Sequence, residues 1–346
     1  MSAAPNDLQR AVNLMDEALA QATALKDIER KVVTYWSLGT HALAHLDTFP
    51  LLVLYGKMGT GKSQSEKVIG QFAHGSRPFS LRGRTLPALR DELAACYQGT
   101  AIIEEADHAW KDADSAFERL LSDRFQRASA EAGLKQKYGD NWASVTKRYF
   151  GATVLHRRIP FSDAALDGRS ITINFRANHS RTYVEYSESN PSIVEGSALV
   201  RDVMFQLPTV VQPPNVAARI FNTYRPLLAV AILCGDDHFP ELIQSRLLLD
   251  TAELREAQSS EPEALVLRAI LAAAYDAYPA FSYASIRVDS LVRSISETHR
   301  QLLQHRQVAG MARRLGFTVK QSHGYTVVFP TPSRAVSGLR GMQLRG

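Results

Sequence analysis

Apolar positions recur at helical spacing from the start of the chain. Leu8, Val12, Met15, Ala18, Leu19 and Ala22 form one stripe. Ile28, Val32, Tyr35, Trp36, Leu43 and Leu46 continue it, so residues 7–46 predict two helices. The period then changes. Leu51-Leu-Val-Leu-Tyr55 is an uninterrupted apolar run, as expected of a strand buried on both faces. Pro78–Leu81, Thr100–Ile103 and Gly151–Leu155 are similar short runs, and Ile171–Phe175 alternates. Helical stretches lie between them at 64–72, at 86–97 behind a Thr85 N-cap, and at 112–131. Strands alternating with helices predict an α/β core with a central, mainly parallel sheet over residues 49–177. Residues 1–48 are expected to pack on that core and residues 178–250 to form a helical segment beside it. Residues 251–262 are polar and carry turn formers, which reads as a linker.

Beyond the linker the pattern is different. Helices are expected at 264–275, 286–295 and 299–315, the last stopped by Gly316. Residues 317–321 then pair with 325–329 across a Gly-containing turn. Three helices followed by a hairpin predict a winged-helix domain over 263–330, with a Ser/Gly/Arg-containing tail at 331–346.

One stretch carries specific chemistry. The first apolar run leads directly into Gly56, Lys57, Met58, Gly59, Thr60, Gly61, Lys62 and Ser63, the complete phosphate-loop pattern G-x-x-x-x-G-K-S. Glycines let backbone N–H groups turn inward around a triphosphate, and the following helix presents its N-terminus to the negative charge. Lys62 is expected on the β- and γ-phosphates and the Ser63 hydroxyl on Mg²⁺, making ATP and Mg²⁺ the expected ligands.

About forty residues on, Thr100-Ala-Ile-Ile-Glu104-Glu105 is an apolar strand ending in two acids. Glu104 is assigned to the hydration shell of the metal and Glu105 to the attacking water. The next core strand ends at His156-Arg157-Arg158, where a polar side chain can reach the γ-phosphate or the water. Arg169, just before the last core strand, is the candidate arginine finger toward a neighbouring subunit, with Arg157 as the alternative. Thr40-His41 either face the nucleotide and adjacent strand or serve the fold. Arg119, Arg124 and Arg127, with Lys135, Lys137, Trp142, Lys147, Arg148 and Tyr149, mix basic and aromatic residues. That mixture suits single-strand contacts and equally suits an exposed, salt-bridged helix.

Charge adds a partner. The 346 residues carry a net charge of +5, but residues 263–346 hold 11 Lys/Arg against 4 Asp/Glu. Before them stand 29 basic and 31 acidic residues. The concentration at one end points to a polyanion, most simply DNA, with Arg300, Arg306, Arg313 and Arg314 along the third helix of the expected winged helix. Two cysteines, Cys96 and Cys234, are too few for a disulfide framework or a zinc site. No apolar run reaches the roughly 20 residues of a membrane span. The expected location is therefore the cytoplasm, without membrane association.

The stretch from Tyr35 to Leu249 resembles a family of P-loop ATPases encoded by phages, plasmids and integrated elements, often joined to primase or helicase modules. The resemblance rests on Gly39-Thr-His41, the strand after Pro50, the phosphate loop and Thr100–Asp107. It continues through Ala165-Leu-Asp-Gly-Arg-Ser-Ile171 and Arg219-Ile-Phe-Asn-Thr-Tyr-Arg-Pro-Leu-Leu-Ala-Val-Ala231. It implies a helicase-like or AAA+ type ATPase fold with a small helical lid and, on that lid near the phosphates, Arg219 as a second sensor.

The expected function is an oligomeric ATP-hydrolysing motor or remodeller acting on DNA, in replication or mobilisation of a mobile element. The alternative is a slow-turnover, nucleotide-gated DNA-binding switch. A metabolic kinase leaves the basic C-terminal segment without a role.

Overall fold

The computed structural model describes residues 5–81, 85–104, 114–138, 141–158, 161, 163–176, 183–276, 285–299, 303–315, 317–322 and 324–329. They divide into two compact units, residues 1–249 and 250–346.

The first unit begins with α1 (Pro5–Ala22) and α2 (Asp27–Gly39), followed by a 3₁₀ turn over Thr40–His45. Then come β1 (Leu51–Gly56), α3 (Lys62–Phe72), β2 (Arg77–Ser80), α4 (Leu86–Ala95) and β3 (Thr100–Glu104). After α5 (Asp114–Arg124), the chain makes a two-stranded hairpin of β4 (Glu131–Tyr138) and β5 (Asn141–Arg148). It returns through β6 (Ala152–Arg157), the short α6 (Ala164–Asp167) and β7 (Ser170–Phe175). Three helices close the unit: α7 (Pro191–Val200), α8 (Ala218–Leu233) and α9 (His238–Ser260), the last running on past residue 249.

The central sheet has five strands in the order β2-β3-β6-β1-β7, every neighbouring pair parallel. Leu51–Leu54 are at most 3% exposed, because a strand covered on both faces needs apolar side chains at successive positions, and β6 is buried throughout although its last two residues, His156 and Arg157, are polar. The helices start where the local chemistry favours it. The Thr85 side chain caps α4 by accepting from Ala88 N at 3.4 Å, and the Asn190 side chain caps α7 by accepting from Ser192 N at 3.0 Å. Trp36 Nε1 donates to Pro50 O at 2.9 Å and fixes α2 on the entrance to β1. Helix α7 packs on α1 and α3, and α8 packs on α2.

The second unit contains α10 (Pro262–Asp276), β8 (Ile286–Arg287), α11 (Val288–His299), α12 (His305–Arg314), β9 (Thr318–Ser322) and β10 (Tyr325–Phe329). Its strands form an antiparallel sheet in the order β8-β10-β9. Leu265, Val266, Ile270, Leu291, Val308 and Val328 make its own core. Among the described residues, no helix is long and apolar enough to cross a membrane.

Four details differ from the sequence reading. Ile286–Arg287 opens as a strand rather than a helix, because Ile286 and Arg287 pair with Val328 and Val327 of β10. The helix expected over 112–131 ends at Arg124, and the polar stretch beyond it is a hairpin. The segment expected as a linker is helical through Ser260. Arg124 and Arg127, counted with the basic, aromatic-flanked side chains, are occupied internally.

The fully buried Arg124 guanidinium donates to Leu93 O, Cys96 O, Gly99 O, Tyr149 O, Ala152 O and Thr153 Oγ1. Burial lowers it to about 10. Arg127 donates to Leu43 O, Ala44 O and Leu46 O at the end of the 3₁₀ turn, where carbonyls run out of helical partners; Leu43 O also accepts from Leu46 N.

Candidate nucleotide site

The site forms where β1 ends. Gly56 leaves the strand against Phe175, the last residue of β7; a Cβ on Gly56 would stand 2.6 Å from Phe175 O, so only glycine fits. Gly61 has φ 94°, a left-handed conformation that lets the chain turn directly into α3. The loop between them bounds a cavity of about 490 Å³. Gly59, Thr60, Gly61, Lys62 and Ser63 line it, as does Met58, which is 80% exposed.

Lys62 is 3% exposed and its ammonium sits inside the loop. Nζ donates to Gly56 O at 2.7 Å and to Lys57 O at 2.5 Å, with Thr60 Oγ1 at 3.4 Å. Thr60 Oγ1 itself donates to Lys57 O at 2.9 Å, which tightens the turn. The cation is thus held at the floor of the cavity, beside the first turn of α3, where the helix dipole also favours an anion.

The strand order brings the other predicted residues to this end of the sheet. Because β6 lies between β1 and β3, the carboxyl ends of the three strands are side by side. Glu104 ends β3, exposed, and His156 stands near the end of β6 and lines the cavity. Ser63 and Glu104 offer hard oxygen donors suited to Mg²⁺ with retained waters. Among the described residues, no group of three or more His, Cys, Asp or Glu is arranged as a protein-only metal site. Glu105 lies outside the described residues.

The structure does not bring every predicted residue here. Leu51 N donates to Arg169 O at 3.1 Å, so Arg169 stands at the amino end of β1. Its guanidinium bonds Ser122 Oγ and lies over the Phe125 ring, 5.6 Å from the centroid. Arg219 is exposed and donates to Ala165 O at 2.8 Å, on the turn that precedes β7. Both arginines therefore belong to the opposite end of the sheet from the phosphate loop. The physical reason for Arg219 is direct: the start of α8 packs on the Ala165–Gly168 turn rather than over the loop, and Thr223 Oγ1 reaches Gly168 O at 3.2 Å.

Arg157 is at the correct end of β6 but is 5% exposed. It pairs with Glu118 of α5 at 3.4 Å and lies over the Phe161 ring at 4.4 Å. His41 faces away from the cavity. Its Nδ1 is 2.9 Å from Val203 O and its Nε2 2.8 Å from Phe72 O, so with Thr40, which accepts from His74 N, it secures the end of α3.

Other residues line the cavity without having been singled out as site residues. Arg158 and Arg176 add cations, Tyr183 adds a ring, and Ala22–Ala24 form a wall from the end of α1. Arg176 follows β7 directly, at the carboxyl end of the strand beside β1. The rule that ligands bind at the carboxyl ends of parallel strands was the available signal for it. The α1 wall had none, because its apolar period marks only the face that packs.

No family model matches the sequence, and no curated protein is significantly similar to it. Among solved structures, the chain is similar to the apo A form of the NrS-1 C-terminal region, at 12% identity and a TM-score of 0.42. That alignment covers 92% of this chain and 75% of the other. It is also similar to Cch of SCCmec type IV, described as an active helicase, at 13% identity and a TM-score of 0.43 over 94% of this chain and 71% of that one.

Proposed function

We propose that this protein is an ATPase that binds ATP with Mg²⁺ and couples its hydrolysis to work on DNA. In this reading it is an oligomer of helicase-like or AAA+ type, serving replication or mobilisation of a mobile element. The observation that carries the reading is the Lys62 ammonium held at the floor of a loop-lined cavity, at the carboxyl end of a parallel sheet. In the nucleotide complex its bonds to the Gly56 and Lys57 carbonyls give way to β- and γ-phosphate oxygens, while loop N–H groups and the start of α3 bind the rest of the triphosphate.

Ser63 and Glu104 would hold Mg²⁺, which supplies charge neutralisation on the phosphates. Glu105 orients the attacking water, and His156 contacts the γ-phosphoryl group from β6. Arg158 and Arg176 add positive charge within the same subunit. Arg169 serves a neighbour's nucleotide rather than its own, which its position at the amino end of β7 supports.

The DNA part of the proposal rests on the second unit and on the hairpin. The order helix, strand, helix, helix and two-stranded hairpin, closed into a three-stranded antiparallel sheet, supports reading this unit as a winged helix. Arg306 and Arg313 are exposed on its third helix, whereas Arg314 is paired with Glu263 at 2.7 Å. In the first unit, the hairpin of β4 and β5 carries Lys135, Lys137, Tyr138 and Trp142, residue types suited to a single strand.

The experiment is the rate of ATP hydrolysis without nucleic acid, with single strands and with duplex. Stimulation by DNA with strand displacement supports a motor. Tight ATP-dependent duplex binding with negligible turnover assigns the protein to the nucleotide-gated switch instead. No nucleotide binding in the folded protein overturns the proposal.

A further inference from the structure

A buried acid without a hydrogen bond lies directly behind the phosphate loop. Glu66, on the first turns of α3, is 3% exposed, and neither carboxyl oxygen has a hydrogen-bond partner. The group facing it is His156 of β6, whose Nδ1 is 3.5 Å from Glu66 Oε2 and likewise has no hydrogen bond. The same imidazole lines the nucleotide cavity together with Lys62 and Ser63. With Nδ1 turned to Glu66, Nε2 is the ring nitrogen left to meet a ligand.

Packing alone gives no reason for a glutamate here. Its neighbours on α3, Val68, Ile69 and Phe72, are buried and apolar, and a carboxyl buried without partners is destabilising where a leucine or methionine would pack.

We propose that Glu66 is a positioning residue for His156, holding the ring through Nδ1 so that Nε2–H is presented to the γ-phosphoryl oxygens. The inference rests on the ATPase reading above and adds to it a residue that no phosphate-loop pattern contains.

The charges around the pair fit the assignment. Burial pushes the Glu66 carboxyl upward; His156 pulls it down, nearby Glu104 pushes it up and Lys62 pulls it down, with a net upward shift. A raised carboxyl favours a hydrogen retained between Glu66 and Nδ1. A carboxyl that keeps its hydrogen donates it to Nδ1, and the one hydrogen of the neutral ring then stands on Nε2, a donor suited to a phosphoryl oxygen. The 3.5 Å separation is longer than a hydrogen bond and of the kind that tightens when the ligand is bound. His156 is reached from the other side by no described acceptor that would compete for Nδ1.

The test is a double-mutant cycle in the full-length protein, using a fluorescent ATP analogue for binding and steady-state ATP hydrolysis for turnover. Glu66→Gln and His156→Ala should each bind the analogue within about threefold of the parent, while kcat falls by about 10- to 100-fold, the effect of a misplaced catalytic contact. The double variant should be no slower than His156→Ala, because Glu66 acts only through the ring. Full kcat in Glu66→Gln, or losses that multiply in the double variant, overturns the proposal.

Should Glu66→Gln fail to fold, ring ¹⁵N spectra of the unsubstituted protein decide instead. A hydrogen on His156 Nε2 in the complex with a non-hydrolysable ATP analogue supports the inference, and a hydrogen-free Nε2 overturns it. Failure of the ATPase reading itself looks different, since the parent protein would then neither bind the analogue nor hydrolyse ATP.

Discussion

The backbone N–H of Leu51 donates to the carbonyl of Arg169 at 3.1 Å. This bond fixes the turn carrying Arg169 to the start of β1, while the phosphate loop leaves the other end of the same strand. Leu51 pairs with Ser170 and Gly56 with Phe175, so the two sites are separated by the length of the strand, roughly 17 Å at about 3.3 Å per residue. An arginine this far from its own loop can act on a nucleotide only if another copy supplies the site.

Arg169→Ala should therefore bind ATP normally yet turn over about 1,000-fold more slowly. Mixing it with Glu105→Gln protein should restore part of the activity, since some interfaces then combine an intact arginine with an intact glutamate. A mixture as inactive as its components would remove the trans role. The Ser122 contact of Arg169 is the control: Ser122→Ala leaves Arg169 free to reach a neighbour and should retain turnover.

Lys62→Ala tests the loop itself. Removing the ammonium deletes at least two charge-assisted bonds to the phosphates, and affinity for ATP should fall by roughly 100-fold or more. Calorimetry of the folded variant gives the answer, and unchanged affinity would end the phosphate-loop reading.

The two acids at the end of β3 should separate by role. Glu105→Gln is expected to keep ATP binding and lose turnover by about 100- to 10,000-fold, the range for a group that handles the reacting proton. Glu104→Gln should instead raise the Mg²⁺ concentration needed for half-maximal rate. Titrating Mg²⁺ against rate for both variants distinguishes them, and interchanged behaviour reverses the assignment.

Glu66 predicts an unusual pH dependence of stability. Its folded carboxyl is held above the ordinary value by burial, with a contribution from Glu104. Between the unfolded value, about 4.3, and the raised folded one, the native state binds more protons than the unfolded state, so stability from this group falls as pH rises. Glu66→Gln should abolish that fall. Thermal melts should show the variant more stable than the parent at pH 8 and equal to it near pH 4. A parent that is equally stable across that window relative to the variant contradicts the burial cost.

The second unit should make DNA binding strongly salt-dependent. With contacts from its third helix and neighbouring wing or tail, the slope of log K against log salt on duplex should be roughly −3 to −5. Arg306→Ala and Arg313→Ala should each make the slope shallower by about 1. Arg314→Ala should do so less, because that guanidinium is already paired with Glu263. Affinity indifferent to all three substitutions would move the basic face to another partner.

The phosphate loop, the five core strands and most helices were legible because each is encoded locally. Leu51–Ser63 contains both the buried strand and the glycines that end it, and Thr85 announces its helix through a capping oxygen. Features set by distant partners were not legible. Ile286–Arg287 becomes a strand only because β10 arrives some forty residues later to pair with it. Nothing near Arg124 in sequence reveals that its acceptors come from Leu93, Gly99, Tyr149 and Ala152. Arg219 lies in a recognisable motif, yet its contact with Ala165 places it at the far end of the sheet. His156 was visible as a strand end, but its partner Glu66 lies ninety residues earlier, within the helix that the motif defines only at its first two positions.

Arg124 has a mechanical consequence. Its acceptors belong to the segment that leads into β3 and to the segment that runs from the β4–β5 hairpin into β6, and Gly151 must be glycine because a Cβ would stand 2.5 Å from the guanidinium. One side chain thus rivets the root of the hairpin to the strands whose far ends carry Glu104 and His156. The root of the hairpin cannot shift against the start of β3 or β6 without breaking several charge-assisted bonds at once.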